Sequence, residues 1–424
     1  MNIFRKKRVL LTAFLAMVFC LTAVFSIGAA QQPTAKDLVL AAIKNFNIGV
    51  DKGFYENSKS ETNLEVTKFG GSLQEEYGDY SGDTVKLIAE LDDSSTLKLS
   101  YDTDIKGVVA DGDIYLTEDK IIFTKDLFYL LQELGFDLFE NSPTSLAEAP
   151  EYLYMTEPQL KAVWEQMAFY QKQQLPAEYT ELLLFMVEAI PDQYFNLSAT
   201  KVTIQLDEDG LVDTVVSLLT KANNESERLA EIFVSMNQHN FEKMEVDPAE
   251  MKQEMASGLE TMTVPTREEI QVITNFIEVK DFTYEHSLLP GGPKKFNLDI
   301  DFGHPNGSVD GAFNIVVDTL GKEGDLEGSY SVAGKYNSIE GPAVVVELDS
   351  EYSYAETVYH SDTIFNVTAK DNITGELMLD LGIVSDSVSE VDTGLKLKVP
   401  ELNSNNSLDI IGLFSNSTMT ENVQ

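Results

Sequence analysis

The chain has 424 residues, 43% of them apolar, and carries 70 acidic against 30 basic side chains for a net charge of −40. That balance excludes nucleic acid as a partner, because displacing phosphate counterions needs a basic footprint, and it repels anionic lipid headgroups for the same reason. A single cysteine excludes a disulfide framework.

Residues 1–30 read as an export signal. Arg5, Lys6, Lys7 and Arg8 precede an apolar run from Val9 to about Phe25, and Ser26, Gly28, Ala29 and Ala30 then lead to Gln31-Gln32. A basic start, an apolar core and small residues at a cleavage site define such a signal. The alternative is an uncleaved anchor, since about 20 apolar residues span a bilayer. Cys20 lacks the small neighbour of a lipidated cysteine and leaves with the signal. So do four cations, taking the net charge from −40 to −44. The expected location is extracytoplasmic, and the expected stabiliser is a buried apolar core.

Residues 31–262 are expected to form one sheet-and-helix domain. Thr34, with Asp37 three residues on, starts a helix over 34–47 that carries Leu38, Ala41, Ala42 and Phe46. From 62 to 125 the period is two. Val85, Leu87, Ala89 and Leu91 alternate with polar residues, as do Leu97, Leu99 and Tyr101, and this predicts an antiparallel meander. Asp111-Gly112 reads as a turn. Leu127, Leu130, Leu131 and Leu134 share a helix face. Thr156-Glu157-Pro158-Gln159 is a capping box ahead of Leu160, Val163, Trp164, Met167 and Ala168. Pro176 opens a helix with Leu182, Phe185, Met186 and Ala189. Val202, Ile204 and Leu206 form a strand that is expected to turn through Asp207-Glu208-Asp209-Gly210 and return over Leu211 to Val216. Helices are expected at 224–238 and 248–260.

Residues 263–402 form a second region. Thr266 and Glu269 box the start of a helix with Ile270, Val272, Ile273 and Phe276. Strands alone follow: Phe296, Leu298, Ile300 and Phe302 pair through Asn306-Gly307 with Phe313, Ile315 and Val317. Further strands are expected at Val344–Leu348, Tyr352–Tyr354, Phe365–Ala369, Leu377–Ile383 and Leu395–Val399. Residues 403–424 form a polar tail in which Ile410, Ile411, Leu413 and Phe414 could dock.

Segregated strands and helices predict an α+β fold: antiparallel β-meander sheets, curved and half-barrel-like, with helices over one face and a second β-rich region beyond. The leading helix, the meander and the acidic turn Leu206-Asp207-Glu208-Asp209-Gly210-Leu211 resemble the lipoprotein-carrier (LolA/LppX-like) superfamily. That resemblance covers residues 34–240 and implies a hydrophobic cavity between sheet and helices. It transfers no site residue.

No catalytic, cofactor or metal site is expected. His239, His286, His304 and His360 are too dispersed in sequence for a zinc motif. Gly70-Gly71 and Gly291-Gly292 lack the lysine of a phosphate loop and read as turns. Asp111-Gly112-Asp113 and Asp207–Gly210 place acids beside glycine, yet Gln205 opens the second series and Val216 stands where a calcium loop needs glutamate. Trp164, the only tryptophan, lies on an apolar helix stripe. Sequons at Asn196, Asn224, Asn306, Asn366, Asn372, Asn405 and Asn416 fit export without arguing for it. The expected function is an exported, non-enzymatic protein that binds a lipid or other apolar ligand, or a surface protein, with no cofactor and with a membrane engaged only through an uncleaved N-terminal segment. The alternative is an envelope-associated structural protein without a small ligand.

Overall fold

The computed structural model describes residues 34–410 except 45–53, 55, 93–95, 137–138, 140–144, 158–159, 161–163, 165–176, 238–240, 242–245, 275, 305, 323 and 340. The export segment with Cys20 therefore lies outside the described residues, as do Phe46, Pro158, Gln159, Pro176, His239, Asn416 and positions 411–414. So does most of the helix expected after Thr156, where only Leu160 and Trp164 are placed.

In chain order the elements are α1 (Ala35–Lys44), β1 (Ser58–Gly70), α2 (Ser72–Tyr77), β2 (Thr84–Asp92), β3 (Thr96–Ile105), β4 (Val108–Leu116), β5 (Lys120–Thr124), α3 (Asp126–Glu133) and β6 (Tyr152–Thr156). Next come α4 (Ala177–Ala189), β7 (Phe195–Leu197), β8 (Lys201–Gln205), α5 (Glu208–Asn224), α6 (Ser226–Met236), α7 (Pro248–Glu260) and α8 (Arg267–Thr274). The last are β9 (Ile277–Ser287), β10 (Lys294–Gly303), β11 (Val309–Lys322), β12 (Asp325–Ser338), β13 (Pro342–Ala355), β14 (Val358–Asp371), β15 (Leu377–Val391) and β16 (Ser407–Asp409).

The structure overturns the expected α+β arrangement of separate meanders. Strands take about 47% of the described residues and helices about 29%. They form one order of sixteen: β16-β6-β5-β4-β3-β2-β1-β15-β14-β13-β12-β11-β10-β9-β8-β7. Two pairings remote in sequence account for the difference. β1 pairs with β15 over twelve registered positions, and β8 pairs with β9 across the helices between them. Alternation reports which strands are half-buried and is silent about which distant edge each one joins.

The chain divides into two compact units. The first comprises Met1–Gly49, Gln173–Asp349 and Lys370–Gly375; the second comprises Val50–Lys172, Ser350–Ala369 and Glu376–Gln424.

In the first unit, α1, α4 and α5 pack on β8–β11. Val202, Ile204, Phe282, Phe296, Leu298 and Ile300 from the strands meet Val39, Ile43, Leu183, Val187, Leu211 and Val212 from the helices, all essentially without solvent exposure. A further layer gathers Leu229 and Ile232 of α6 around Phe185 and Ala222. The helix starts follow the sequence closely. Thr34 and Asp37 exchange hydrogen bonds at 3.0 and 3.1 Å, Thr266 and Glu269 do the same at 2.9 and 3.2 Å, and Asp247 caps the Pro248 helix through the Ala249 N–H at 2.9 Å. The hairpin expected at Asp207–Gly210 is instead a helix start. Asp207 accepts from the Gly210 N–H at 2.8 Å, and Leu211, Val212, Val215 and Ala222 bury one side of α5. Leu211, Val212, Val215 and Val216 stand three and four apart and never two, which is the period of a helix and not of a strand.

In the second unit, β1–β6 pair antiparallel in sequence order. The expected turn at Asp111-Gly112 is mid-strand in β4. Glycine is needed there for room. A Cβ would stand 2.4 Å from the Tyr101 hydroxyl and 2.5 Å from Thr124 Oγ1. A small core holds Phe128, Phe139, Leu146, Leu153 and Ile410, so the tail docks as far as Ile410. Leu395–Val399 is not a strand.

Candidate functional site

The two units treat the same apolar alternation differently. In β8–β10 the inward side chains are sealed: Val202, Ile204 and Leu298 are 0% exposed and Phe282 is 1% exposed. The interior expected to be hollow is filled there. In the second unit, register places Leu64, Val85, Thr103 and Ser385 in one row across β1, β2, β3 and β15, with Thr62, Leu87, Tyr101 and Ser387 in the next. Paired residues share a face, and on this face Leu64, Val66, Val85, Leu87, Leu97, Leu99 and Ile114 are only half-buried.

Hydroxyls continue that face across β1 and β15. Thr62 and Ser387 hydrogen-bond at 2.9 Å, and Ser389 donates to Ser60 at 2.8 Å. The pattern is legible in Ser385-Asp386-Ser387-Val388-Ser389, where every second residue is serine, a signal that a search for catalytic or metal motifs passes over. Tyr101, buried on the same face, has its phenol pushed up to about 12 by burial. A cleft of about 680 Å³ in this unit reaches Leu64, Val85, Thr103 and Ser385, but Glu65, Asp102, Asp104, Val109 and Asp386, which line it together with Ile364, belong by register to the opposite face of the strands. Val109 and Ile364 are 71% and 50% exposed.

The first unit has a more polar cleft of about 730 Å³, bounded by Glu208, Phe302, His304, Asp310 and Lys335. Lys280 and Asp301 form an ion pair of 2.5 Å on its wall. His304 contacts Asn306 Oδ1 through Nδ1 at 2.5 Å within the β10–β11 turn, as a turn residue should.

The remaining singled-out residues are not brought together. His286 is buried in β9, with burial first and the Lys294 charge second lowering its pKa to about 4; His360 is exposed in β14. Among the described residues no group of three His, Cys, Asp or Glu is placed to hold a metal ion. Asp113 and Asp209 of the two candidate loops have other partners. Asp113 accepts from Ser100 at 2.5 Å and pairs with Lys98 at 3.1 Å. Asp209 pairs with Arg267, which also reaches Asp213 at 2.9 Å. Trp164 donates its indole N–H to the Thr117 carbonyl at 2.8 Å.

No protein-family model matches the chain, and no curated protein matches it. Among solved structures, the chain is similar to OmpTdeltaL8, a loop-deletion mutant of an outer membrane protein of Vibrio cholerae, at 7% identity and TM-score 0.18, covering 78% of this chain and 97% of that one. It is also similar to a bacterial polysaccharide outer membrane secretin, at 5% identity and TM-score 0.19 over 80% and 99%, and to the CymD monoaromatic hydrocarbon channel, at 8% and 0.16 over 87% and 94%. Likeness at this level carries no argument about fold or function.

Proposed function

We propose that this is an exported, non-enzymatic binding protein that holds an apolar ligand bearing hydrogen-bonding groups on the sheet face of its second unit. The observation that carries the reading is the contrast in burial. Alternating aliphatic residues are sealed by helices on β8–β10, yet on this face of β1–β4 all but Leu91 stay half-buried and border hydroxyls of β1, β3 and β15. Covering exposed aliphatic area lowers the free energy by about 25 cal/mol per Å², so a complementary molecule gains there what a helix gains in the first unit. The basic start and apolar run at positions 5–25 support export.

Native mass spectrometry of residues 31–424, with displacement of a polarity-sensitive dye, tests the reading. Dye uptake that falls on introducing aspartate at Leu87 or Leu99, and survives aspartate at exposed Val272 of α8, supports it. Protein that carries no adduct and takes up no dye would sink it.

A second reading rests on Val109 and Ile364, which stand exposed beside Glu65, Asp102, Asp104 and Asp386. Apolar side chains ringed by carboxylates suit a basic segment of a surface protein. Binding of a lysine- and leucine-bearing peptide that disappears at high salt, with no dye uptake, favours this alternative.

A further inference from the structure

The strand β16 differs in kind from the strands it joins. β1–β6 pair antiparallel, whereas β16 lies parallel to β6 through only three positions, Ser407 opposite Tyr152, Leu408 opposite Leu153 and Asp409 opposite Tyr154. The chain reaches it from the end of β15, which sits beside β1 at the other side of the meander. Residues 392–406 make that passage without joining the sheet. The Leu397 N–H donates to the buried carboxylate of Asp92 at 3.0 Å on the way. The strap then ends in a tight turn built from asparagines: Asn403 accepts from the Asn406 and Ser407 N–H groups, and Asn406 Nδ2 donates to the Glu401 carbonyl at 2.9 Å. Beyond β16, Ile410 is 1% exposed against Leu153 and Phe128, and its N–H donates to the Tyr154 carbonyl at 2.9 Å.

We propose that residues 407–410 are a detachable edge strand and that the edge of β6 which they cover is a docking site for the same segment of a second copy of this chain. The argument is one of matched contacts. A three-residue parallel pair is a short hold, and its side-chain anchors are two, Leu408 and Ile410, both packed into the small core of Phe128, Phe139 and Leu153. Beyond the Leu397 tether, residues 398–406 of the strap connect the segment to the sheet, a nine-residue reach of at most about 30 Å for re-entry into another molecule. Exchange between copies keeps the β6 hydrogen bonds and the Ile410 socket unchanged, so its net cost is confined to association and to the Asn403–Asn406 turn acting as hinge. An uncovered β6 would otherwise present unpaired backbone groups, the feature edge strands must hide.

The test uses the mature chain, which contains no cysteine. One copy carries Ser407→Cys and another carries Tyr152→Cys; the two are mixed at rising concentration and oxidised. A covalent heterodimer that grows with concentration, and is abolished by Ile410→Asp in the Ser407→Cys copy, is the expected result. Absence of that heterodimer, while a single copy carrying both cysteines closes within itself, overturns the proposal. Amide exchange on the unsubstituted chain gives a measure free of disulfide geometry. Residues 407–410 and the outward amide of Tyr152 must exchange together and at least tenfold faster than β2 and β3, and equal protection overturns the proposal as well.

Discussion

His286 of β9 stands directly across from Lys294 of β10, on the side of the sheet that carries Tyr284 and Phe296. Both groups have their charged forms disfavoured, His286 to about 4 and Lys294 below the usual ammonium range, with burial the leading cause in each case. The unfolded chain therefore binds a proton at His286 below about pH 6.5 that the folded chain refuses until about pH 4. The resulting stability is fully present above pH 6.5 and drains away as pH falls toward 4. We expect urea midpoints to drop across that window, and His286→Leu to flatten the slope by close to one proton per molecule. An unchanged slope in the variant would show that other groups set it.

Arg228 gathers Glu188 at 2.8 Å, Glu225 at 3.0 Å and Glu181 at 3.1 Å, while Lys221 also reaches Glu188 and Glu225. Both cations lie over the buried ring of Phe185, at 5.5 and 4.9 Å. Burial raises Glu188, but Arg228 and Lys221 outweigh it and leave the carboxyl below its ordinary value. Arg228→Met should cost roughly 1–2 kcal/mol at neutral pH, after allowing for solvent screening of a third-exposed guanidinium. A carboxylate held low gives stability that is present above its unfolded pKa and lost below it. The gap between variant and parent should therefore close in acid, and equilibrium denaturation at pH 7 and pH 3 checks this.

Asp207→Ala should destabilise the first unit by about 1 kcal/mol, because its carboxylate holds the Gly210 N–H at the start of α5. Asp207→Asn keeps the acceptor and should recover most of the loss. Had these residues formed a β-hairpin turn, neither substitution would change helix content by circular dichroism.

These cases show what the sequence could and could not convey. Capping boxes at Thr34 and Thr266, the Pro248 helix start and the Asn306-Gly307 turn are local chemistry, and each stands where its residues placed it. Asp207 is ambiguous because an acidic tetrapeptide ending in glycine serves a turn or a cap equally; the spacing of Leu211, Val212 and Val215 by three and four, buried on one helical side, separates the two. The β1–β15 pairing joins residues more than 300 positions apart and leaves no local trace. The apolar face of β1–β4 is legible as a face. Whether anything covers it is a tertiary fact.

Gly112→Ala should cost roughly 1–3 kcal/mol through overpacking, since the new methyl would meet the Tyr101 and Thr124 hydroxyls. The double variant with Tyr101→Leu should recover part of the loss, because the colliding hydroxyl is gone. Calcium should shift neither melting temperature, given that Asp113 is already engaged by Lys98 and Ser100. Thermal melts with calcium and with chelator check both statements.

Leu298 and Leu99 occupy equivalent places in their strands' alternation and should respond differently to truncation. Leu298 is 0% exposed beneath the helices of the first unit, so Leu298→Ala leaves a cavity and should cost about 2–5 kcal/mol. Leu99 is half-buried, its removal leaves no sealed void, and Leu99→Ala should cost closer to about 1 kcal/mol because only part of its area returns to water. The same half-burial makes Leu99 the more exposed to a ligand. Leu99→Ala should therefore weaken dye binding while barely moving the unfolding midpoint, and Leu298→Ala should do the reverse. Parallel losses of stability and binding in both variants would mean that the β1–β4 face is an ordinary core after all, and would remove the physical basis for assigning it a ligand.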